Sequence, residues 1–136
     1  MERDRSPFLD VPVDERLAEN SWCFAILDAH PVSPGHTLVI PHRLITTWFE
    51  ATGEEWRAGL DLVDVIRADL DRRLAPDGYN VGFNAGRAAG QTVFHAHLHV
   101  IPRFEGDVPD PAGGVRHAVM GRGHYDASSL GHPAES

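Results

Sequence analysis

The pattern of hydrophobic and polar positions changes period twice along the chain, and the changes mark out the elements. In "ERLAENSWCFAILD" two apolar runs are separated by Asn20 and Ser21, which predicts a β-hairpin with Trp22 to Leu27 as its second strand. "HPVSPG" reads as a turn. The β-branched run from His36 to Ile40 then predicts a short strand closed by Pro41, which has no N–H to give to a ladder. From Thr52 the apolar period becomes helical. Thr52 and Glu55 have the T-x-x-E form of a capping box, and Trp56, Leu60, Val63, Ile66 or Arg67, Leu70 and Leu74 follow until Asp77 and Gly78 stop the run. An apolar stripe on a polar-backed helix predicts one long helix lying against a sheet. A strand is expected again at "YNVGFN", residues 79–84, and "AGRAAG" is the loop that leads into "QTVFHAHLHVIPR", residues 91–103.

Read as a strand, this last segment puts Phe94, Ala96, Leu98 and Val100 on one face and Val93, His95, His97, His99 and Ile101 on the other. One face is core and the other carries imidazoles. The chain has 9 histidines among 136 residues, and a chain of that composition would show HxHxH by chance roughly 0.04 times. After Phe104 the sequence becomes rich in Pro and Gly, which predicts a compact domain over residues 1–105 and an extended tail over 106–136.

Composition narrows the classes. The length suits one domain. No apolar stretch approaches a membrane span and the charged start "MERDRSPFLD" lacks a signal-peptide core, so a soluble, cytoplasmic protein is expected, with no membrane partner. Cys23 is the single cysteine and sits in the apolar run "WCFAIL", where a thiol is expected to act as a small buried hydrophobe. The net charge of −8 and the lack of a Lys or Arg run argue against nucleic acid as a partner. A small anionic ligand is compatible with that charge, because a few local donors outweigh the net sign.

Three chemistries suit a histidine face. It can be a solvated polar face, although such faces more often use Lys, Thr or Glu. It can bind metal, but the first and third imidazoles lie about 13 Å apart along an extended strand, so a further ligand is needed. His97, His99 and Glu105 loosely resemble a cupin metal motif with an overlong gap before the Glu. Third, a neutral imidazole can attack phosphorus, provided its second ring nitrogen is held by an acceptor and donors surround the phosphate oxygens. Asn84, Gly86, Gly90, Gln91 and Thr92 supply such donor types immediately upstream.

"QTVFHAHLHVIPR" resembles the H-φ-H-φ-H-φ-φ signature of the histidine triad superfamily, and "PGHTLVIPHR" at residues 34–43 resembles the family's second block. The resemblance spans roughly residues 15–105 and leans toward the fragile histidine triad and dinucleoside polyphosphate hydrolase side. It implies an α+β fold with an antiparallel sheet of about five strands, one long helix and a short one, assembled as a homodimer. It implies cleavage at the α-phosphate of nucleoside polyphosphates, with His97 as the nucleophile that forms a nucleotidyl-histidine. His95 and His99 match the flanking residues and His36 the fourth histidine of the site. Gln91 and Thr92 match contacts to the scissile or leaving phosphate, Asn84 a contact to phosphate or ribose, Asp28 a contact to the ribose hydroxyls, and Leu27 and Leu38 a base pocket. The Cys pair that holds structural zinc in many bacterial relatives is absent, so no protein-bound metal or cofactor is expected beyond a divalent cation such as Mg accompanying the substrate. Two other functions stay open: a nucleoside phosphoramidate hydrolase of the same superfamily, and a nucleotide-binding regulatory protein with negligible turnover. Asp28 as a turn starter, Asn84 as a strand end and Thr92 as a plain β-former are the bland alternatives. Arg87, Arg103 and Arg116 are expected at the surface, and His30, His42, His117, His124 and His132 carry no assigned role.

Overall fold

A computed structural model describes residues 6–124. The chain divides into two compact units, residues 1–103 and 104–136. The first holds one antiparallel sheet of five strands in the order β1-β2-β3-β5-β4. Its elements are β1 (Ala18–Glu19), β2 (Cys23–Leu27), β3 (Thr37–Pro41), α1 (Gly53–Leu74), β4 (Gly78–Gly82) and β5 (Leu98–Arg103). The predicted hairpin forms as β1 and β2, with Asn20 Oδ1 accepting the N–H groups of Trp22 and Cys23 in the turn. The expected short helix is met by 3-10 turns, among them Pro7–Asp10 and Trp48–Glu50. No helix among the described residues is long and apolar enough to cross a membrane.

The capping box is present: Glu55 donates its N–H to Thr52 Oγ1, and Thr52 donates its own to Glu55 Oε1 at 2.9 Å. The same carboxylate is buried and takes two hydrogen bonds from Arg43, at 2.8 and 3.1 Å, which hold its pKa below the usual carboxylate value. The helix ends earlier than expected, at Leu74, because Pro76 follows; Ala75 turns left-handed at φ 48° to close it. The buried stripe also differs from the spacing read in the sequence. Glu55, Ala58, Gly59, Leu62, Ile66 and Leu70 face inward, while Leu60 is 54% exposed. The first turns are rotated because Glu55 must reach Arg43 and because Gly59 lies beneath the Trp48 ring, where an added Cβ would approach within 2.8 Å of it. Leu62, Ile66 and Leu70 pack with Cys23, Ala25, Val39, Leu98 and Val100 in the core on this face of the sheet, each large aliphatic side chain contributing about 1.5–3 kcal/mol by burial. Cys23 is buried, as expected, and burial pushes its thiol up to about 12.

The other face carries a smaller cluster of Phe8, Phe24, Ile26, Leu38 and Ile40, and here the histidine segment departs from its predicted strand. β5 pairs with β3 only over Leu98 to Val100. Continuing the same register would set Ala96 against Pro41, whose nitrogen carries no hydrogen, so the ladder stops. Residues 91–97 dock on the chain after β3 instead: Ala96 donates its N–H to Ile45 O at 2.8 Å, and Gln91 Nε2 reaches Thr46 O at 2.6 Å. Alternating burial survives from Ala96 to Pro102, but His95 is buried rather than facing outward with the other imidazoles.

The second unit is turn-rich over its described part rather than extended. Gly114–Ala118 forms a 3-10 helix, and the His117 and His124 rings meet edge-on with centroids 4.5 Å apart. His132 lies outside the described residues.

Replacing Glu55 with Gln removes the charged half of the cap and of the Arg43 pair, and is expected to cost about 1–3 kcal/mol at pH 7. A carboxylate held below its ordinary 4.5 in the folded state stabilises fully above that value and loses the contribution as pH falls toward the folded pKa. The gap between wild type and E55Q in urea unfolding should therefore narrow below about pH 4.5, and a pH-independent gap would contradict the pairing.

Candidate active site

The site is assembled where β3, the end of β2 and the segment entering β5 meet, on the sheet face turned away from α1. His99 sits on β5 opposite Leu38 of β3, on the same face. His36 lies just before β3, and its Nε2 is 3.0 Å from His99 Nδ1. Asp28 follows β2, with Oδ2 3.4 Å from His36 Nε2 and 4.0 Å from His99 Nδ1. His97 is tied to the backbone just before it, its Nδ1 2.7 Å from the carbonyl of His95. The rings of His97 and His99 meet edge-on at 5.2 Å.

Backbone groups settle where the protons are. The Val32 N–H is directed at His36 Nδ1 at 3.2 Å, so that nitrogen is an acceptor and a neutral His36 carries its proton on Nε2. That Nε2–H donates to His99 Nδ1, which places the proton of a neutral His99 on its own Nε2. The His95 carbonyl can only accept, so His97 donates through Nδ1 and keeps a lone pair on Nε2. His95 donates from Nε2 to Pro41 O at 2.8 Å and accepts at Nδ1 from the Ser6 hydroxyl at 2.6 Å. All four imidazoles are held neutral, because burial pushes each below its ordinary 6.5. His99 is lowered to about 4, by burial first and then by His97 and His36, against the opposing pull of Asp28.

His97 therefore offers an unprotonated nitrogen beside a neutral donor, an arrangement able to act as a nucleophile or base. Asp28, His36 and His99 also offer three metal-ligand atoms within 4.8 Å of one another, and Glu105 is not of that group. Their hydrogen bonding opposes ligation. A metal on His36 Nε2 would force the proton onto Nδ1, directly against the Val32 N–H.

The structure brings together His36, His95, His97, His99 and Asp28. It places the remaining expected residues differently. Gln91 is 3% exposed, and its amide is engaged within the protein: Nε2 donates to Thr46 O and Val93 O, and Oε1 accepts the Gly86 N–H at 2.9 Å. It braces the loop that turns at Gly86 and Gly90, both at φ above 90°, where a side chain would be strained. Thr92 and Asn84 are exposed on that loop and its approach. Leu38 is in the core beneath His99, and Leu27 is 55% exposed at the end of β2. Arg87 is exposed, and Arg103 donates to Asn80 Oδ1 at 2.6 Å. Three participants were not anticipated: Ser6, Phe8, whose ring lies 5.0 Å from that of His97, and the Val32 N–H. The Ser-Pro pair of "SPF" is a recognisable turn start, but a pattern has no way to say which ring the hydroxyl meets.

An α+β protein with a proton-ordered imidazole cluster on the open face of its sheet is the class that fold and site define. The chain belongs to the HIT family: the family model described as HIT domain matches residues 13–106. It is similar to adenylylsulfatase HINT3 of Arabidopsis thaliana, 38% identical over 92 residues that cover 68% of this chain and 47% of that protein. It is also similar to AP-4-A phosphorylase of Mycobacterium tuberculosis, 32% identical over 107 residues, covering 74% and 55%. The chain thus spans about half to two thirds of the length of the curated relatives it matches. Among solved structures, a HIT family protein from Bacillus anthracis superposes with a TM-score of 0.71 at 29% identity, covering 96% of this chain and 87% of that one.

The proton order has a direct readout. Imidazole nitrogen shifts should place protons on Nδ1 of His97 and on Nε2 of His36, His95 and His99, and His99 should stay neutral down to about pH 4. A His99 titrating at its ordinary 6.5 would refute the buried, donor-ordered cluster.

Proposed function

We propose that this protein cleaves nucleoside polyphosphates, such as dinucleoside polyphosphates, at the α-phosphate through a covalent intermediate on His97. The observation that carries the reading is the bond from His97 Nδ1–H to the His95 carbonyl, which leaves the Nε2 lone pair available. Family membership supports it, as do two relatives, one named for AP-4-A and one for adenylyl sulfate. Nε2 attacks the α-phosphorus, the bond from phosphorus to the leaving oxygen breaks, and that oxygen takes the electron pair. The positive charge on the ring is shared with the His95 carbonyl through Nδ1–H. Neutral His99 donates from Nε2 to a phosphate oxygen, and its proton is held in place by the chain Val32 to His36 to His99. Water then attacks phosphorus and releases a proton to solvent, the P–N bond breaks, and its electron pair returns to Nε2 as the nucleoside monophosphate leaves. Asp28, beside this chain, is assigned to the ribose hydroxyls. Thr92 and Asn84 are the exposed polar residues available to phosphate, with Gln91 shaping their loop, and Leu27 and Leu38 border the base. The protein holds no metal in this scheme, and a divalent cation travels with the phosphates.

A homodimer goes with this reading. β4 is an edge strand with Val81 exposed, and Phe49, edge-on to half-buried Phe83, and Leu60 present further apolar surface. Light scattering on the full chain should give twice the chain mass, and replacing Val81 with Lys should shift it to monomer; a monomeric wild type would refute the pairing.

The deciding experiment compares hydrolysis of diadenosine tetraphosphate and of an adenosine phosphoramidate by wild type and His97→Ala, with alkaline quenching to trap the acid-labile nucleotidyl-protein. Loss of the nucleophile should cost at least about 10³-fold in kcat. Because burial lowers the His97 pKa, the wild-type rate should hold as pH falls from 7 past 6.5 and drop only at more acid pH. A preference for the phosphoramidate would move the substrate class to that branch, and near-normal turnover by His97→Ala would refute covalent catalysis there. A bound nucleotide with no labelled protein would identify a regulatory binder.

A further inference from the structure

We propose that Ser6 is a positioning residue of this site, setting the proton order of His95 and through it the nucleophilic nitrogen of His97. The inference rests on the covalent reading above and adds a residue outside both sequence blocks that carry the family resemblance.

His95 is fully buried, and its two ring nitrogens face unlike partners. Pro41 O at 2.8 Å can only accept, so it demands a proton on Nε2. Nδ1 then needs a donor, and the Ser6 hydroxyl at 2.6 Å is placed to give one. Ser6 is itself 5% exposed and its Oγ accepts the Phe8 N–H at 3.2 Å, which leaves the hydroxyl proton for His95. One oxygen thus caps the 3-10 turn Pro7–Asp10 and completes the imidazole. Without it, the ring keeps a buried acceptor with no donor, or flips and turns an N–H away from Pro41 O. Either change pulls on the His95 backbone, whose carbonyl holds the Nδ1–H of His97. The turn that Ser6 caps also carries Phe8, whose ring packs 5.9 Å from His95 and 5.0 Å from His97. Ser6 is buried and hydrogen-bonds to His95, so its effect is expected in the chemical step and not in nucleotide binding.

Two roles of the hydroxyl can be separated by substitution in the full chain. Ser6→Ala removes both cap and donor. Ser6→Asp keeps a cap acceptor for the Phe8 N–H but has no proton to give to Nδ1, so both ring nitrogens of His95 face acceptors and the ring takes up a second proton as imidazolium beside His97. Ser6→Thr keeps both functions. Single-turnover formation of the nucleotidyl-protein from diadenosine tetraphosphate should slow by about 10- to 100-fold in Ser6→Ala and Ser6→Asp, with KM little changed, and recover in Ser6→Thr. Nitrogen shifts should show His95 protonated on both ring nitrogens in Ser6→Asp. If Ser6→Ala does not fold, Ser6→Asp and Ser6→Thr decide alone. Wild-type rates with His95 still protonated on Nε2 alone in Ser6→Asp would overturn the proposal. A wild type that never forms a nucleotidyl-protein would overturn the covalent reading and this inference with it, and it is recognised without any variant.

Discussion

Pro41 is the constraint on which the site depends. It ends β3 without an N–H, so the β3–β5 ladder closes after Leu98 and the preceding residues are free to leave the sheet. Its carbonyl, no longer matched to a ladder partner, accepts instead from the His95 ring at 2.8 Å. A residue that supplied an N–H there would favour continuing the strand through His97 and His95, turning His95 outward with its neighbours. The departure from the sheet separates the three histidines into different environments: one buried, one tied to its own backbone, one paired with His36.

The cluster works because its members are neutral. In water each imidazole would exchange its proton between nitrogens, and the chemistry of any one would be averaged over tautomers. Burial removes the charged form, and three backbone groups choose the tautomer: the Val32 N–H, the Pro41 carbonyl and the His95 carbonyl. Backbone groups hold their positions through the sheet and turns, so the order costs little side-chain entropy to maintain. The same order weighs against metal at Asp28, His36 and His99, although their ligand atoms lie close enough.

The two sheet faces divide the work. The α1 face carries the larger core, with Leu62, Ile66 and Leu70 against Val39, Leu98 and Val100, and the Glu55–Arg43 pair that fixes the start of the helix. The opposite face keeps a smaller apolar cluster and the imidazoles. Leu98 and Val100 are anchored in the first core, and His99 between them is thereby aimed at the second face without needing its own packing.

Much was legible in the sequence because it depends on local periodicity and steric rules. The β2 and β3 strands, the Thr52–Glu55 cap, the burial of Cys23, the α+β class and the family follow from patterns that operate over a few residues or from two blocks quoted in order. The alternation from Ala96 to Pro102 was equally readable, since it is the pleat itself. Tertiary structure alone decided the rotation of the first turns of α1, which is set by Arg43 and Trp48, and the turning inward of His95, which answers to a carbonyl 54 residues away. It also decided that Gln91 braces a loop and that Ser6, 89 residues from His95, completes its ring. Periodicity fixes which way a side chain points from its own backbone, whereas the partner it meets is set by the packing of distant segments, and a hydrogen bond requires that partner within about 3 Å.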